Sequence, residues 1–316
     1  IHNMIHLHEP LLAGNERKYI NNCIDQGWIS STGKYVETFE KKIAKYTGAK
    51  YAVACINGTS ALQISLRLVG VGINDEVIVP SMTFIAPVNA INYNNAKPIF
   101  MDNDDYYTID VNKTIEFLNK ETRTILRKKL PITINKKTGN RIVALIVVHL
   151  FGNAAKLDKL TDLCRTKNIS IIEDAAESIG TFYKSGRFRN KHTGTVGKIG
   201  CLSFNGNKII TTGGGGMVLC KSKTQAEKTK HITTTAKVAH AYEFFHDQPA
   251  FNYRMPNLNA ALGCGQMEML TEILAKKRSL ASSYQRFFQN SDYQFVEEPK
   301  YAKSNYWLNA IICPTK

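Results

Sequence analysis

Strand-like and helix-like segments alternate along most of this chain, and few folds accept that order. Val36, Phe39, Ile43 and Tyr46 recur at helical spacing, and residues 59–69 read as a second helix. A short apolar strand at 76–80 precedes a helix over 86–93, a strand over 98–101 and a helix over 111–118. Strand 142–148, helix 157–166, strand 169–173 and strand 217–220 continue the series. Strands joined through helices build a mostly parallel sheet covered on both faces, so the expected fold class is α/β. Residues 1–256 are expected to form the large domain. A long helix from 258 to about 287 then opens a smaller C-terminal α+β domain, residues 257–316, with strands at 293–296 and 306–313. No closing helix follows that last strand, so the small domain is expected to be incomplete. Ligands in such sheets lie beyond the carboxyl ends of the strands. Asp174, Lys208 and the loop after Pro80 all fall there.

Lys208 ends the polar turn Ser203-Phe204-Asn205-Gly206-Asn207-Lys208 and precedes four glycines, residues 213–216. A lysine in such a turn loses part of its solvation; its pKa then falls and its amine can attack a carbonyl to form a Schiff base. A solvated lysine is the commoner reading of the turn taken alone. Its companion is the apolar run Ile171-Ile172-Glu173-Asp174, which ends in carboxylates 34 residues upstream (208 − 174). An aspartate there suits pyridoxal phosphate (PLP), whose pyridinium nitrogen needs a carboxylate to keep it protonated. Asn57-Gly58-Thr59-Ser60 offers hydroxyls and free N–H groups at a helix start, either as an anion site or as a plain N-cap. Phe84, just past a strand, either stacks on an aromatic ring or joins the core.

Composition narrows the classes. With 316 residues, 43% hydrophobic and 21% charged, the chain can bury a large soluble core. Its longest apolar runs are too short to cross a bilayer, and Ile1-His2-Asn3-Met4 opens no leader peptide, so no membrane partner is expected. Seven scattered cysteines without a CxxC pair point to reduced thiols, a cytoplasmic location and no metal site. The net charge of +15 (41 − 26) suits phosphate-bearing substrates as well as nucleic acid. Its densest cluster, Arg123, Arg127, Lys128, Lys129, Lys136 and Lys137, reads as a solvated hairpin turning at Lys136-Lys137-Thr138-Gly139. With no helix-turn-helix or zinc-finger pattern, no nucleic-acid partner is expected.

Together these segments resemble the DegT/DnrJ/StrS family of PLP-dependent sugar-nucleotide aminotransferases from about Leu7 to Asn309. The ordered matches include Gly27-Trp28-Ile29-Ser30-Ser31-Thr32-Gly33-Lys34, the Asn57 turn, residues 80–86, His149-Leu150-Phe151-Gly152, the Asp174 and Lys208 segments, and Phe251-Asn252-Tyr253-Arg254-Met255-Pro256-Asn257. The 4-aminotransferases of nonulosonic-acid pathways, such as legionaminic acid synthesis, are especially similar. The resemblance implies a fold-type I PLP-dependent transferase with a mostly parallel seven-stranded sheet and a homodimer with shared sites. Lys208 would carry the cofactor and Asp174 would pair with its ring nitrogen. Glu177 would face the phenolic oxygen, where many relatives have glutamine. Phe84 would stack on the ring. Thr59, Ser60 and Ser203 would hold the phosphate, and Asn252 would reach the neighbouring subunit's phosphate. Trp28 and Arg254 would contact substrate. Gly214 stands where many relatives have glutamate.

The implied reaction takes an amino group from glutamate, converting PLP to pyridoxamine phosphate (PMP), and places it on C4 of a nucleotide-linked 4-keto-6-deoxy sugar. A UDP-linked 2-acetamido sugar is the expected substrate, with a GDP-linked sugar as the alternative. A sugar 3-dehydratase of the same fold would lack the lysine at position 208. A DNA-binding regulator is the non-enzyme alternative.

Overall fold

The computed structural model describes residues 6–127 and 129–314. Lys128 of the basic hairpin and residues 1–4 of the expected leader-free start lie outside the described residues. The main sheet contains β1 (Tyr51–Cys55), β2 (Glu76–Pro80), β3 (Lys97–Met101), β6 (Arg141–Val148), β7 (Ser170–Asp174), β9 (Ile199–Ser203) and β10 (Gly216–Cys220). Their order is β1-β10-β9-β7-β6-β2-β3, a path of seven strands as expected. The run β9-β7-β6-β2-β3 is parallel, while β10 is antiparallel to both of its neighbours. Strands β2 and β10 are buried at every position, as strands covered on both faces must be.

The expected hairpin, turning at residues 136–139, joins β5 (Leu130–Asn135) antiparallel to β6, and β4 (Thr122–Arg127) extends it by a further antiparallel strand. Its outer strand is exposed from Arg123 to Arg127, as the solvated reading requires. Asn135 and Asn140 donate to Glu76 at 2.8 and 3.3 Å, and Arg141 grips Asp75 through Nε and Nη2 at 2.9 and 2.7 Å. The base of the hairpin is thereby tied to β2.

Among the described residues, eight helices cover the sheet. On one face, α3 (Gly58–Leu68) and α4 (Ile85–Tyr93) bury Ala61, Leu62, Leu66, Ala90 and Ile91 against Ile146, Val148, Ile172 and Cys201. On the other, α5 (Val111–Lys120) and α6 (Asp158–Thr166) cover Leu145, Val147 and Ile171. The second face also carries α2 (Lys34–Thr47) and the 32-residue α8 (Asn257–Phe288), packed on Leu202, Met217 and Leu219. A Cβ on Gly263 would stand 2.8 Å from the Phe39 ring, so glycine allows α8 to approach α2 closely. The remaining helices are α1 (Glu16–Asp25), beside α8, and α7 (Lys223–Thr233), beside β1 and β10.

Beyond α8 the expected strands are much reduced. Among the described residues there, Gln294–Phe295 pairs with Ile311–Ile312, and Ala302–Lys303 pairs with β8 (Phe182–Tyr183). The expected strand over 306–313 breaks at its start because Tyr306 has φ +50° and Asn305 Oδ1 accepts from Trp307 N at 2.9 Å. That turn aims Trp307 back at the sheet.

Candidate active site

Side chains alternate along β7. Asp174 follows Ile172 toward the α3 face, and Glu173 follows Ile171 to the opposite face. Asp174 lies buried in the wall of a cavity of ≈ 290 Å³ at the carboxyl edge of the sheet. Its Oδ1 accepts from Ala176 N at 3.1 Å. Burial pushes its carboxyl up, and the Ala176 amide, Lys208 and His149 offset that only in part. A carboxylate so thinly compensated suits a cationic N–H.

Lys208 reaches the same cavity from the loop after β9. That loop is closed at its base by Phe204 N donating to Gly215 O at 2.8 Å and Thr212 N donating to Phe204 O at 2.9 Å. Lys208 Nζ lies 3.5 Å from Glu177 Oε1 and 4.0 Å from the centroid of the Trp307 ring. Glu177 is held through Oε2 by Phe151 N at 2.8 Å. Burial raises its carboxyl, with Lys208 the largest opposing influence.

The third side is the start of α3. Asn57 Oδ1 caps the helix by accepting from Ser60 N at 2.8 Å. Among the described residues the amides of Gly58 and Thr59 have no acceptor, and the Thr59 and Ser203 hydroxyls have no partner. A Cβ on Gly58 would sit 2.9 Å from Ser203 Cβ, and one on Gly216 only 2.3 Å from Asn57 O. Glycine therefore lets the helix start and the two strands crowd together, leaving free N–H groups at a positive helix end. Phe84, 68% exposed, flanks the opening.

These residues fit pyridoxal phosphate. The α3 start offers donors to a phosphate, Asp174 a partner to a ring N–H, Lys208 an amine and Phe84 a flat apolar face.

Four expected site residues lie elsewhere. Ser60 is buried behind the cavity wall with its amide taken by the cap. Asn252 is exposed, its Oδ1 accepting from Arg254 Nε at 3.0 Å. Trp28 and Arg254 share a separate cleft of ≈ 690 Å³ with Lys34, Glu40 and Lys230. Within one chain, none of the three reaches Lys208.

The site also contains residues for which the sequence reading assigned no role. Trp307 forms a wall and donates Nε1–H to Asn207 O at 2.7 Å. It lies 99 positions (307 − 208) from Lys208, and no local pattern links them. His149 and Glu173 are wholly buried beneath the cavity, joined at 2.9 Å through Nε2. His149 Nδ1 accepts from Ala155 N at 3.2 Å, which places the ring proton on Nε2, facing Glu173. The only available sign of this was the burial implied by an acid inside an apolar run.

Comparison with known proteins agrees with this geometry. The family model described as the DegT/DnrJ/EryC1/StrS aminotransferase family matches residues 10–316. The chain is 37% identical to the GDP-perosamine synthase of Escherichia coli O157:H7, over 98% of this chain and 78% of the relative. It is 38% identical to the GDP-perosamine synthase of Vibrio cholerae, over 98% of this chain and 77% of the relative. Among solved structures, a DegT DnrJ EryC1 StrS aminotransferase from Brucella abortus superposes with a TM-score of 0.84 at 26% identity, covering 95% of this chain and 75% of that one.

Proposed function

This chain belongs to the DegT/DnrJ/EryC1/StrS aminotransferase family, and from that premise we propose that it transfers the amino group of glutamate to C4 of a GDP-linked 4-keto-6-deoxy sugar. It is a PLP-dependent sugar aminotransferase. The convergence of Lys208, Asp174 and the α3 start on one cavity carries the reading. Both relatives are named for a GDP-linked product, which favours the GDP-linked alternative over a UDP-linked 2-acetamido sugar of the legionaminic acid type.

When bound, pyridoxal phosphate supplies the electron sink and carries the amino group. Asp174 holds the proton of the ring nitrogen, because its own charge is otherwise poorly compensated. The Gly58 and Thr59 amides with the Thr59 and Ser203 hydroxyls bind the phosphate. Phe84 would offer the ring a flat apolar face. Lys208 is the attachment point and moves the proton at the substrate carbon, with Glu177 Oε1 and the Trp307 ring fixing where its amine points. Trp307 also shields that amine from water.

Asn252, Arg254 and Trp28 act from a second copy of the chain, since in one copy they stand away from the Lys208 cavity. Mixing Lys208→Ala with Asn252→Ala should restore one complete site per mixed dimer. No recovery after proven subunit exchange removes the shared-site proposal. The substrate test incubates the protein with glutamate and matched GDP- and UDP-linked 4-keto-6-deoxy sugars and weighs the products by mass spectrometry. Amination of the UDP-linked sugar alone would reverse the nucleotide assignment.

A further inference from the structure

We propose that the cleft behind Trp307, lined by His8, Leu11, Ile209, Ile273 and Lys277, is a seat for an oxyanion that serves the Lys208 cavity. The cleft is open, with a volume of ≈ 270 Å³, and two of its polar groups, His8 and Lys277, are left short of partners. Lys277 Nζ donates to Trp307 O at 3.2 Å and has no carboxylate within ion-pair distance among the described residues. Its neighbour Lys276, by contrast, pairs with Glu272 at 2.6 Å. His8 Nδ1 is buried and has no hydrogen-bond partner among the described residues. Glu9 also borders the cleft, but its carboxylate faces His6 at 3.7 Å.

Two independent groups thus line one small cleft without a charge partner among the described residues. Burial lowers the Lys277 amine, and burial followed by the charges of Lys277 and Lys208 lowers His8. A half-buried cation without a counter-charge is less favourable than one that a bound anion compensates.

Two residues that line the cleft, Lys277 and Ile209, connect it to the Lys208 cavity. Trp307 accepts from Lys277 with its carbonyl and lays its ring under Lys208 Nζ, while Ile209 follows Lys208 directly. An oxyanion held there borders Ile209, the residue next to the reacting lysine. Its two sources are the diphosphate of the sugar nucleotide and a carboxylate of the amino donor. Naming those sources rests on the proposed function; the seat itself rests on Lys277 and His8.

Calorimetric titration of the cofactor-loaded full chain with inorganic pyrophosphate, and separately with glutarate (a dicarboxylate that cannot donate an amine), tests this. Lys277→Met should weaken one probe by about tenfold or more, as loss of a charge-assisted contact does. His8→Phe should weaken the same probe severalfold, and Lys277→Arg should retain it. Loss confined to pyrophosphate assigns the seat to the diphosphate, and loss confined to glutarate assigns it to the donor. Failure of wild type to bind either probe, or unchanged binding in Lys277→Met, overturns the seat. If Lys277→Met does not fold, His8→Phe decides alone, and unchanged binding there also overturns it. Probe binding without turnover on any nucleotide sugar sinks the proposed function and spares the seat.

Discussion

Glu173 and Asp174 are adjacent buried carboxylates on one strand, and the protein treats them in opposite ways. Glu173 accepts from His149, Gly194 N, Val196 N and Gly197 N. Burial pushes its carboxyl up, yet His149 and the amides of Gly197 and Gly194 outweigh that and leave it below its ordinary value. Asp174 has the single amide of Ala176 among the described residues, and its carboxyl stays raised. The pleat of β7 sends one side chain to the packed α6 face and the other to the open carboxyl edge under α3. The contrast lies in satisfaction: Glu173 is fully partnered within the protein, whereas Asp174 is left with one amide.

The largest effect expected from this contrast is at Lys208. Lys208→Ala should lower turnover by about 10⁴-fold or more through loss of both nucleophile and proton carrier, while cofactor still binds reversibly and melting temperature changes little. Borohydride labelling on another lysine would reject the assignment.

Asp174→Asn should cost about 10²- to 10⁴-fold in turnover and loosen the cofactor. Without cofactor it should be as stable as the wild type at neutral pH, or more so, because it removes an uncompensated buried charge. A cofactor-free variant that unfolds at lower urea than the wild type would break the contrast.

Glu173→Gln should instead cost about 3 kcal/mol of stability by urea denaturation, since it removes the charge facing His149 and three amides. Stability within error of the wild type would mean that this network holds nothing.

The smallest effect is in the pH dependence. The depressed Glu173 contributes stability that is present above its unfolded value near 4.5 and lost as pH falls through its lower folded value. The raised Asp174 and Glu177 do the reverse, contributing below their ordinary values of 3.8 and 4.5 and losing that contribution as pH rises through their folded values. In cofactor-free protein the Glu173→Gln penalty should shrink in acid, and the advantage of Asp174→Asn should grow above about pH 4, by about 1.4 kcal/mol for each tenfold difference in proton affinity between the folded and unfolded chain. Parallel urea midpoints across that range would erase the distinction.

The α/β alternation and the placing of Lys208 and Asp174 at strand ends were legible in the sequence, whereas the order of the strands was not. Both legible features are carried by apolar periodicity or by a residue at the end of a strand. The reduced strands beyond α8 were not legible either, because the left-handed turn at Tyr306 depends on Asn305, which is fixed by contacts with Glu177 O, Ile179 O and Thr181. The separation of Asn252, Arg254 and Trp28 from Lys208 was equally hidden, since adjacency across a fold leaves no mark on local spacing.

By itself the sequence determined which residues stand at strand ends, because a period-two apolar run and its stopping point are local properties of the chain. Tertiary structure alone decided how differently the two neighbouring acids are satisfied, that Trp307 walls the cavity, and that His8 and Lys277 share a cleft. Those outcomes depend on desolvation and on partners brought together by packing, and neither exists until the layers close.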